Sequence, residues 1–209
     1  MNPPLPLVCF AVREEAAVFR KMSAATRVDI LVTSMGKANA AQSIRAALAS
    51  NRPSLVITSG FAGGLNPQLS TGDVVFSADD YEIQNRLIAA GAREGRFHFA
   101  DHVAVTAQEK WSLWQQTGAD AVEMESQIIR DICRAQTIPS ATVRVILDQA
   151  GEDLPLNFNA LMTPDMKLDS SKLALAILKS PGKIAALRRL QKQSKAAAGK
   201  LAQVLEAFV

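Results

Sequence analysis

The side chains best suited to chemistry in this chain are carboxylic acids that follow apolar, strand-like segments. Asp148 ends the β-branched run ATVRVILD at 141–148, and Glu125 lies earlier, in the run AVEMES at 121–126. A strand end holds a side chain rigidly at the rim of a parallel sheet, where α/β folds bind their ligands. A carboxyl group held there can donate or share a proton. The alternatives are that Asp148 only caps the following turn and that Glu125 is an ordinary acid at a helix start.

A second acidic position follows the first apolar run of the chain, residues 5–12. Glu14 and Glu15 are adjacent there, so a shift of one residue decides which of them faces a ligand. The spacing from the strand and the following Ala16 favour Glu15, and Glu14 stays the alternative. The segment SGFAGGL at 59–65 also follows a strand-like run. It predicts a glycine-rich turn, where small residues let backbone amides approach a ligand closely.

Apolar runs alternate with helix-like segments along most of the chain. The predicted strands are 5–12, 28–33, 55–58, 73–76, 103–106 and 141–147. The predicted helices are 14–22, 37–50, 107–116, a helix that follows 121–124 and ends near 135, and two terminal helices separated by Pro181-Gly182. Residues 79–100 are predicted as a loop or short helix, and 151–164 as a loop. Strands that alternate with helices imply parallel βαβ units and an α/β fold.

The composition predicts a single domain over residues 1–209 that ends in a basic helix at 183–209. Apolar residues make up 48% of the 209 residues, yet no run reaches the ~20 apolar residues that span a bilayer. The start, MNPPLPLVCF, lacks the basic residues of a signal peptide, so a cytoplasmic location is expected. His98 and His102 are the only histidines and have no cysteine nearby, so no metal is expected.

The net charge of +3 is unevenly distributed. Residues 179–209 carry seven Lys or Arg and one Glu, a net +6, which leaves −3 for the remainder. With 5% aromatic residues and no basic face outside this segment, a nucleic-acid partner is not expected. The basic helix predicts either an ordinary solvated surface or peripheral contact with anionic lipid.

Three segments in this order, 59–65, 121–126 and 141–148, resemble the purine nucleoside phosphorylase and 5′-methylthioadenosine nucleosidase superfamily. The resemblance implies a nucleoside phosphorylase-like fold, a three-layer αβα sandwich with a mixed, mainly parallel central sheet. It also implies an enzyme that cleaves the bond between a purine and its ribose. No cofactor is implied, although inorganic phosphate becomes a co-substrate if the cleavage is phosphorolytic. A homo-oligomer is expected, with a dimer favoured.

The resemblance also assigns roles to individual side chains. Asp148 would deliver a proton to N7 of the leaving purine, Glu125 would bind the ribose hydroxyls, and Glu15 would orient or deprotonate the attacking water. Arg144 would lie beside the acids that bind this water, or would equally face a phosphate. Apart from the resemblance, Arg13 is a second candidate ligand of the water or phosphate, with plain solvent exposure as the alternative. The residues implied to contact the substrate are Met35, Gly36, Phe61, Ala62, Gly63, Glu123 and Met124. Among them, Glu123 is expected to act through its backbone, and Met124 either lies against the sugar or fills the core.

The substrate and the nucleophile stay open. Residues 106–126 and 177–205 resemble the hopanoid-associated phosphorylases of bacteria, which implies an adenine nucleoside with a modified 5′ position such as adenosylhopane. Phe61, where many relatives have serine, and Glu15 favour water, whereas the hopanoid-like ending favours phosphate. One alternative is a 5′-methylthioadenosine/S-adenosylhomocysteine nucleosidase. A second alternative is a non-catalytic nucleoside-binding or storage relative.

Overall fold

The computed structural model describes residues 4–209, so the first three residues of the predicted domain lie outside it. Within these residues, eight strands form one sheet: Leu7–Phe10 (β1), Asp29–Val32 (β2), Val56–Gly64 (β3), Val74–Ala78 (β4), Arg93–Glu94 (β5), Phe97–Phe99 (β6), Ala121–Glu123 (β7) and Ser140–Asp148 (β8). The α-helices of the same part are Arg13–Phe19 (α1), Lys37–Ser50 (α2), Tyr81–Ala89 (α3), Ala107–Thr117 (α4), Ser126–Ala135 (α5), Phe158–Leu161 (α6), Ser170–Lys179 (α7) and Ile184–Phe208 (α8). None of the helices between residues 4 and 209 combines the length and the hydropathy needed to cross a lipid bilayer.

The sheet is mixed but mainly parallel. Its main path runs β2-β1-β3-β8-β4-β5, and the first four of these strands are parallel to one another. β4 runs antiparallel to β8. The end of β3 also pairs with β7 in antiparallel fashion, and β6 lies parallel beside β7. The predicted α/β class and sheet type are confirmed.

The alternation of side chains along β1 shows how the layers form. Val8 and Phe10 point to one face, where they pack with α1, α3 and α8. Leu7 and Cys9 point to the other face, where they pack with α2 and α5. A strand that is apolar at every position is therefore buried on both sides, as expected for the centre of a parallel sheet. The three layers of the predicted αβα sandwich follow directly.

The prediction of a glycine-rich turn at 59–65 is wrong. These residues continue β3 as an extended strand to Gly64, paired with β8 on one side and with β7 at its end. Small residues allow a tight turn, but they also fit an extended strand flanked by two others. The two pairing partners bind the backbone groups of this segment and so keep it extended.

Three other segments differ from the sequence-based expectation. Residues 79–100 contain α3, β5 and β6, because Asp80 caps α3 by accepting from the Ile83 N–H and the helix buries an apolar face. Residues 103–106 are not a strand, since Val103 pairs with the side chain of Asn159 instead of with a ladder. Residues 121–123 form β7, and the following helix starts only at Ser126.

The last helix has two unlike halves. From Ala197 to Phe208, seven residues are buried against the rest of the protein, mainly against α1 and the sheet. From Ile184 to Ala196 the side chains are exposed or half-buried. A short 3₁₀ turn, Pro181–Lys183, separates α8 from α7, which confirms the predicted break between two terminal helices.

Candidate active site

A cavity of about 1010 Å³ opens where β1, β3 and β8 end. The ends of these strands and the segment around Glu125 form one wall. Helices α7 and α8 and the segment before them form the other wall, which is largely apolar. This position matches the general rule that α/β sheets bind ligands beyond the carboxyl ends of their parallel strands.

Glu15, and not Glu14, is the buried acid of the first loop. Its Oε2 accepts from the backbone N–H groups of Ala11 at 3.0 Å and Val12 at 3.1 Å, and its Oε1 accepts from that of Phe61 at 2.8 Å. Glu14 is exposed at the cavity rim. Burial raises the pKa of Glu15, although Arg144 and the three backbone donors oppose that shift. Glu15 is therefore a fixed carboxyl that is well suited to accept a proton.

Gly60 lets β3 pass close to this carboxyl. Its φ of +145° lies in a region that favours glycine, and a Cβ built on it would sit 2.6 Å from Glu15 Oε1. The same Cβ would sit 2.7 Å from Arg144 Nη1. Any side chain at this position would displace one of the two charged groups.

Arg144 is fully buried among carboxyl groups. Its Nη2 donates to Glu123 Oε2 at 2.7 Å and lies 3.5 Å from Glu125 Oε2, while its Nη1 donates to the Ser59 carbonyl at 3.2 Å. Burial alone would lower its pKa, but Glu123, Glu125 and Glu15 raise it overall. The guanidinium therefore stays charged and links Glu123 of β7 and the neighbouring Glu125 to β8.

Glu123 was expected to contribute through its backbone, whereas its side chain organises the site. Besides Arg144, it accepts from the backbone N–H groups of Glu125 at 3.0 Å and Ser126 at 2.8 Å. The Ser126 hydroxyl donates to its other oxygen at 2.5 Å. These bonds bind the free amides at the start of α5 and so fix the position of Glu125.

Glu125 lies at the N-cap of α5 and is buried. Its Oε1 accepts from the Gly36 N–H at 2.9 Å, so the loop after β2 is tied to the loop after β7. Burial raises the pKa of Glu125 to about 7, and the nearby acid Glu123 adds to the shift while Arg144 opposes it. Met124 is buried beside it and Met35 is half-buried, both on the cavity wall.

Asp148 lies at the end of β8, also on the cavity wall. The pairing of β8 with β3 shifts by one residue between Ala62 and Gly63, which skips Leu147. Such an irregularity changes the direction of the side chains that follow it, here that of Asp148. Burial raises the pKa of Asp148, and the ammonium group of Lys110 in contact with Oδ2 only partly offsets this.

The remaining predicted residues are only partly brought together. Phe61, Ala62 and Gly63 line the cavity as part of β3. Arg13 is exposed at the start of α1 and lies at the cavity rim, apart from the buried cluster around Arg144.

Between residues 4 and 209, no three His, Cys, Asp or Glu side chains are arranged to hold a metal ion.

Sequence reasoning missed Lys110 and the apolar wall. Lys110 is fully buried, yet nothing in the surrounding run TAQEKWSLW separates it from an ordinary solvated lysine on a helix. The apolar wall carries half-buried side chains that the sequence would assign to a core: Met166, Leu173, Ile177, Leu187 and Leu190. The sequence shows that the leucines of α8 recur at helical spacing, but it does not show that they face a cavity.

This fold and this cluster of acids define a class of enzyme. The pattern of the phosphorylase superfamily matches residues 8–98 and 88–179, and the chain belongs to that superfamily. The predictions of this family and of an enzyme are confirmed.

Individual proteins show what the chain is similar to. The 5′-methylthioadenosine/S-adenosylhomocysteine nucleosidase of Glaesserella parasuis is 26% identical over 187 residues, which cover 73% of this chain and 81% of that protein. The corresponding nucleosidase of Neisseria meningitidis, solved with methylthio-immucillin-A, superposes with a TM-score of 0.70, 18% identity and 98% coverage of both chains. Futalosine hydrolase of Helicobacter pylori superposes with a TM-score of 0.66 and 15% identity, covering 96% of this chain and 97% of its own. The two superpositions establish similarity of fold.

Proposed function

We propose that this enzyme hydrolyses the N-glycosidic bond of 5′-substituted adenine nucleosides. The relatives supply 5′-methylthioadenosine and S-adenosylhomocysteine as first candidates. The observation that carries the proposal is the convergence of Glu15, Glu125 and Asp148 on one cavity. The alternative of a non-catalytic relative is disfavoured, because a binding protein has no need for a buried acid at each of these three places.

The three acids can divide the reaction between them. Water attacks C1′ of the ribose and gives a proton to Glu15, while the bond from C1′ to N9 breaks and its electron pair goes to the purine. Asp148 gives a proton to N7, so the base leaves neutral. Glu125 accepts hydrogen bonds from the ribose hydroxyls and favours the positive charge that develops on the sugar. Afterwards Glu15 holds a proton from the water and Asp148 lacks the proton that it gave to N7, so one proton released by Glu15 to solvent and one taken up by Asp148 restore both groups.

Water is favoured over phosphate by the charges around Arg144. The guanidinium is opposed by the carboxyl groups of Glu15, Glu123 and Glu125, and it already donates to Glu123. A phosphate dianion placed beside Arg144 would be attracted by this one cation and repelled by the three acids around it. Arg13, the second predicted anion ligand, is exposed at the rim and does not change this balance.

Product analysis decides between the two reactions. With 5′-methylthioadenosine, we expect adenine and the free methylthio sugar, formed at a rate that is independent of added phosphate. Glu15→Gln should abolish this release, because the amide cannot accept the proton of water. A sugar 1-phosphate product, at a rate that rises with phosphate, would contradict hydrolysis. Failure to release adenine from any 5′-substituted adenosine would contradict the proposed function as a whole.

A second candidate substrate carries a bulky apolar group at the 5′ position, as in adenosylhopane. The cavity continues from Met35, which is expected near the 5′ carbon, to the half-buried side chains of α7 and α8. Met166 connects the two regions, since its Cγ lies 3.1 Å from a Cβ built on Gly36. The cavity volume of about 1010 Å³ is at the upper end of the roughly 300–1,000 Å³ of small-molecule sites.

A series of 5′-alkylthioadenosines of increasing length tests this candidate. Each buried methylene contributes ~0.8 kcal/mol, so kcat/KM should rise by up to about fourfold per added carbon. Ile177→Trp, which narrows the cavity, should remove this rise and spare the methyl compound. Leu178→Trp is the matched control, because Leu178 is 77% exposed on the same helix. A kcat/KM that is indifferent to chain length would exclude the apolar group.

Contact with anionic membranes stays a prediction. Arg188, Arg189, Lys192 and Lys195 are exposed on the first half of α8, beside the apolar wall. Salt-sensitive sedimentation with anionic vesicles, lost when all four are changed to Gln, would support it. Wild-type protein that stays in the supernatant at low salt would contradict it.

Assembly into a homo-oligomer, with a dimer favoured, also stays a prediction. Tyr81 and Trp111 leave large aromatic surfaces exposed in the single chain, at 76% and 48%. Light scattering at several concentrations measures the mass directly, and a mass of one chain throughout would contradict the dimer.

A further inference from the structure

Lys110 is a buried charge that the proposed reaction does not yet use. It lies on α4 with its side chain fully excluded from solvent. Its Nζ contacts Asp148 Oδ2 and donates to the carbonyls of Gln149 at 2.9 Å and Glu152 at 2.7 Å. An ammonium group has three hydrogens; two of them go to these carbonyls, and the charge is balanced by the ion pair with Asp148.

The surroundings hold this lysine in one place. The start of α4 is joined to the segment after β8 at two further points. The Ala107 N–H donates to Asp153 Oδ1 at 2.7 Å, and the Leu154 N–H donates to the Val105 carbonyl at 2.8 Å. An exposed lysine loses side-chain conformational entropy when it forms an ion pair. Here these two hydrogen bonds already fix the segment that carries Lys110.

We infer that Lys110 is a positioning residue: it fixes Asp148 Oδ2 and, through its charge, sets the upper pH limit at which Asp148 can give a proton to the departing base. The inference rests on the proposed function. A carboxyl group with one oxygen anchored keeps the other oxygen in a constant orientation for the purine. The charge of Lys110 also makes Asp148 a stronger acid. A stronger acid transfers its proton to the purine faster, but it also loses this proton to solvent at a lower pH than a weaker acid would.

Few other charged groups act on Asp148. Glu152, in the segment after β8, opposes the effect of Lys110. His102, before α4, lies on the cavity wall and is paired with Glu109 at 2.7 Å. On the side of β3 and β7, the charged groups are Glu15, Glu123, Glu125 and Arg144, which form their own network. Lys110 is therefore the cation whose removal should change the titration of Asp148.

The test compares the pH dependence of adenine release from 5′-methylthioadenosine by the wild type, Lys110→Met, Lys110→Gln and Lys110→Arg. In the two neutral variants, kcat at the optimum should fall ~10-fold or more, and the alkaline limb should move to higher pH by about one unit or more. Lys110→Arg keeps the charge, so its alkaline limb should stay in place even if kcat falls. Lys21→Met, which removes an exposed lysine, is the control and should match the wild type.

Each result bears on the inference separately from the proposed function. A wild type that releases no adenine contradicts the proposed function itself. An active wild type together with neutral variants whose alkaline limb has not moved overturns the role of Lys110. Thermal unfolding of each variant shows whether it folds. If neither neutral variant folds, Lys110 belongs to the fold and not to the reaction, and the inference is overturned as well.

Discussion

Arg144 and Glu123 form a fully buried ion pair in which Nη2 donates to Oε2 at 2.7 Å. The pair joins the middle of β8 to the end of β7. Because Glu123 also binds the amides at the start of α5, one guanidinium controls the position of the helix that carries Glu125. The acids of this site are therefore not independent of one another.

Glu123→Gln should destabilise the fold and reduce activity together. Removing one partner of a buried ion pair leaves an uncompensated charge and typically costs ~3–5 kcal/mol. Asp131→Asn is the control, since Asp131 forms an exposed pair with Arg134 at 2.8 Å and such pairs contribute ~0–1 kcal/mol. Urea unfolding of both variants measures the difference. Equal losses of stability would mean that Glu125 fully replaces Glu123 as the partner of Arg144.

Asp148→Asn should lower turnover by ~10²–10⁴-fold, because the amide cannot protonate N7. It should also lower the unfolding temperature, since Lys110 is left as a buried cation without its acidic partner. Combining it with Lys110→Met should recover stability without recovering activity. Turnover within threefold of the wild type, measured as adenine release, would remove Asp148 from the mechanism.

Gly60→Ala should inactivate the enzyme through Glu15. The new Cβ would lie 2.6 Å from Glu15 Oε1 and 2.7 Å from Arg144 Nη1, so we expect the carboxyl to be pushed from the place where water is activated. A displacement of about 1 Å at such a group can cost ~10²-fold in rate. Gly91→Ala is the matched control, because Gly91 also has a positive φ, +93°, but a Cβ there meets nothing within 4 Å. Adenine release by the two variants should therefore differ by about this factor, and equal rates would show that Glu15 tolerates the shift.

Glu125→Gln should change how stability depends on pH. The folded protein keeps a proton on Glu125 up to about pH 7 because burial raises its pKa from 4.5, whereas the unfolded chain releases it near 4.5. The free energy of unfolding of the wild type should therefore fall as pH rises across this window, by about 3 kcal/mol. In Glu125→Gln, the free energy of unfolding should fall less between pH 4.5 and 7 than in the wild type. Urea unfolding at several pH values measures this dependence. Glu14→Gln, which changes an exposed acid, is the control and should show the same dependence on pH as the wild type.

The sequence predicted the strands and acids better than the contacts between them. The run at β1 was recognisable because a strand buried on both faces has no polar alternation, and the run at β8 was recognisable from its β-branched residues. Glu15 was favoured over Glu14 from its spacing, and the structure buries Glu15 and exposes Glu14. The extension of β3 through the glycines was missed, because small residues serve a turn and a strand equally well.

The partners of the predicted acids could not be derived from local pattern. Lys110 meets Asp148 across 38 positions of sequence, and only the packing of α4 against the end of β8 brings them together. The same is true of the bond from Gly36 to Glu125, which spans 89 positions. Local propensity carries no information about such pairs, so the electrostatics of the site depend on the tertiary structure.

Under the proposed function, the two halves of α8 separate the demands of folding from those of ligand choice. Substitutions at the seven buried positions between Ala197 and Phe208 enter the packed interior and are constrained by it, whereas those between Ile184 and Ala196 alter only the cavity wall and the surface. Such changes can therefore accumulate with little loss of stability. During evolution, descendants of this enzyme could acquire new 5′ preferences one substitution at a time along a single helix while the acids that break the bond stay untouched.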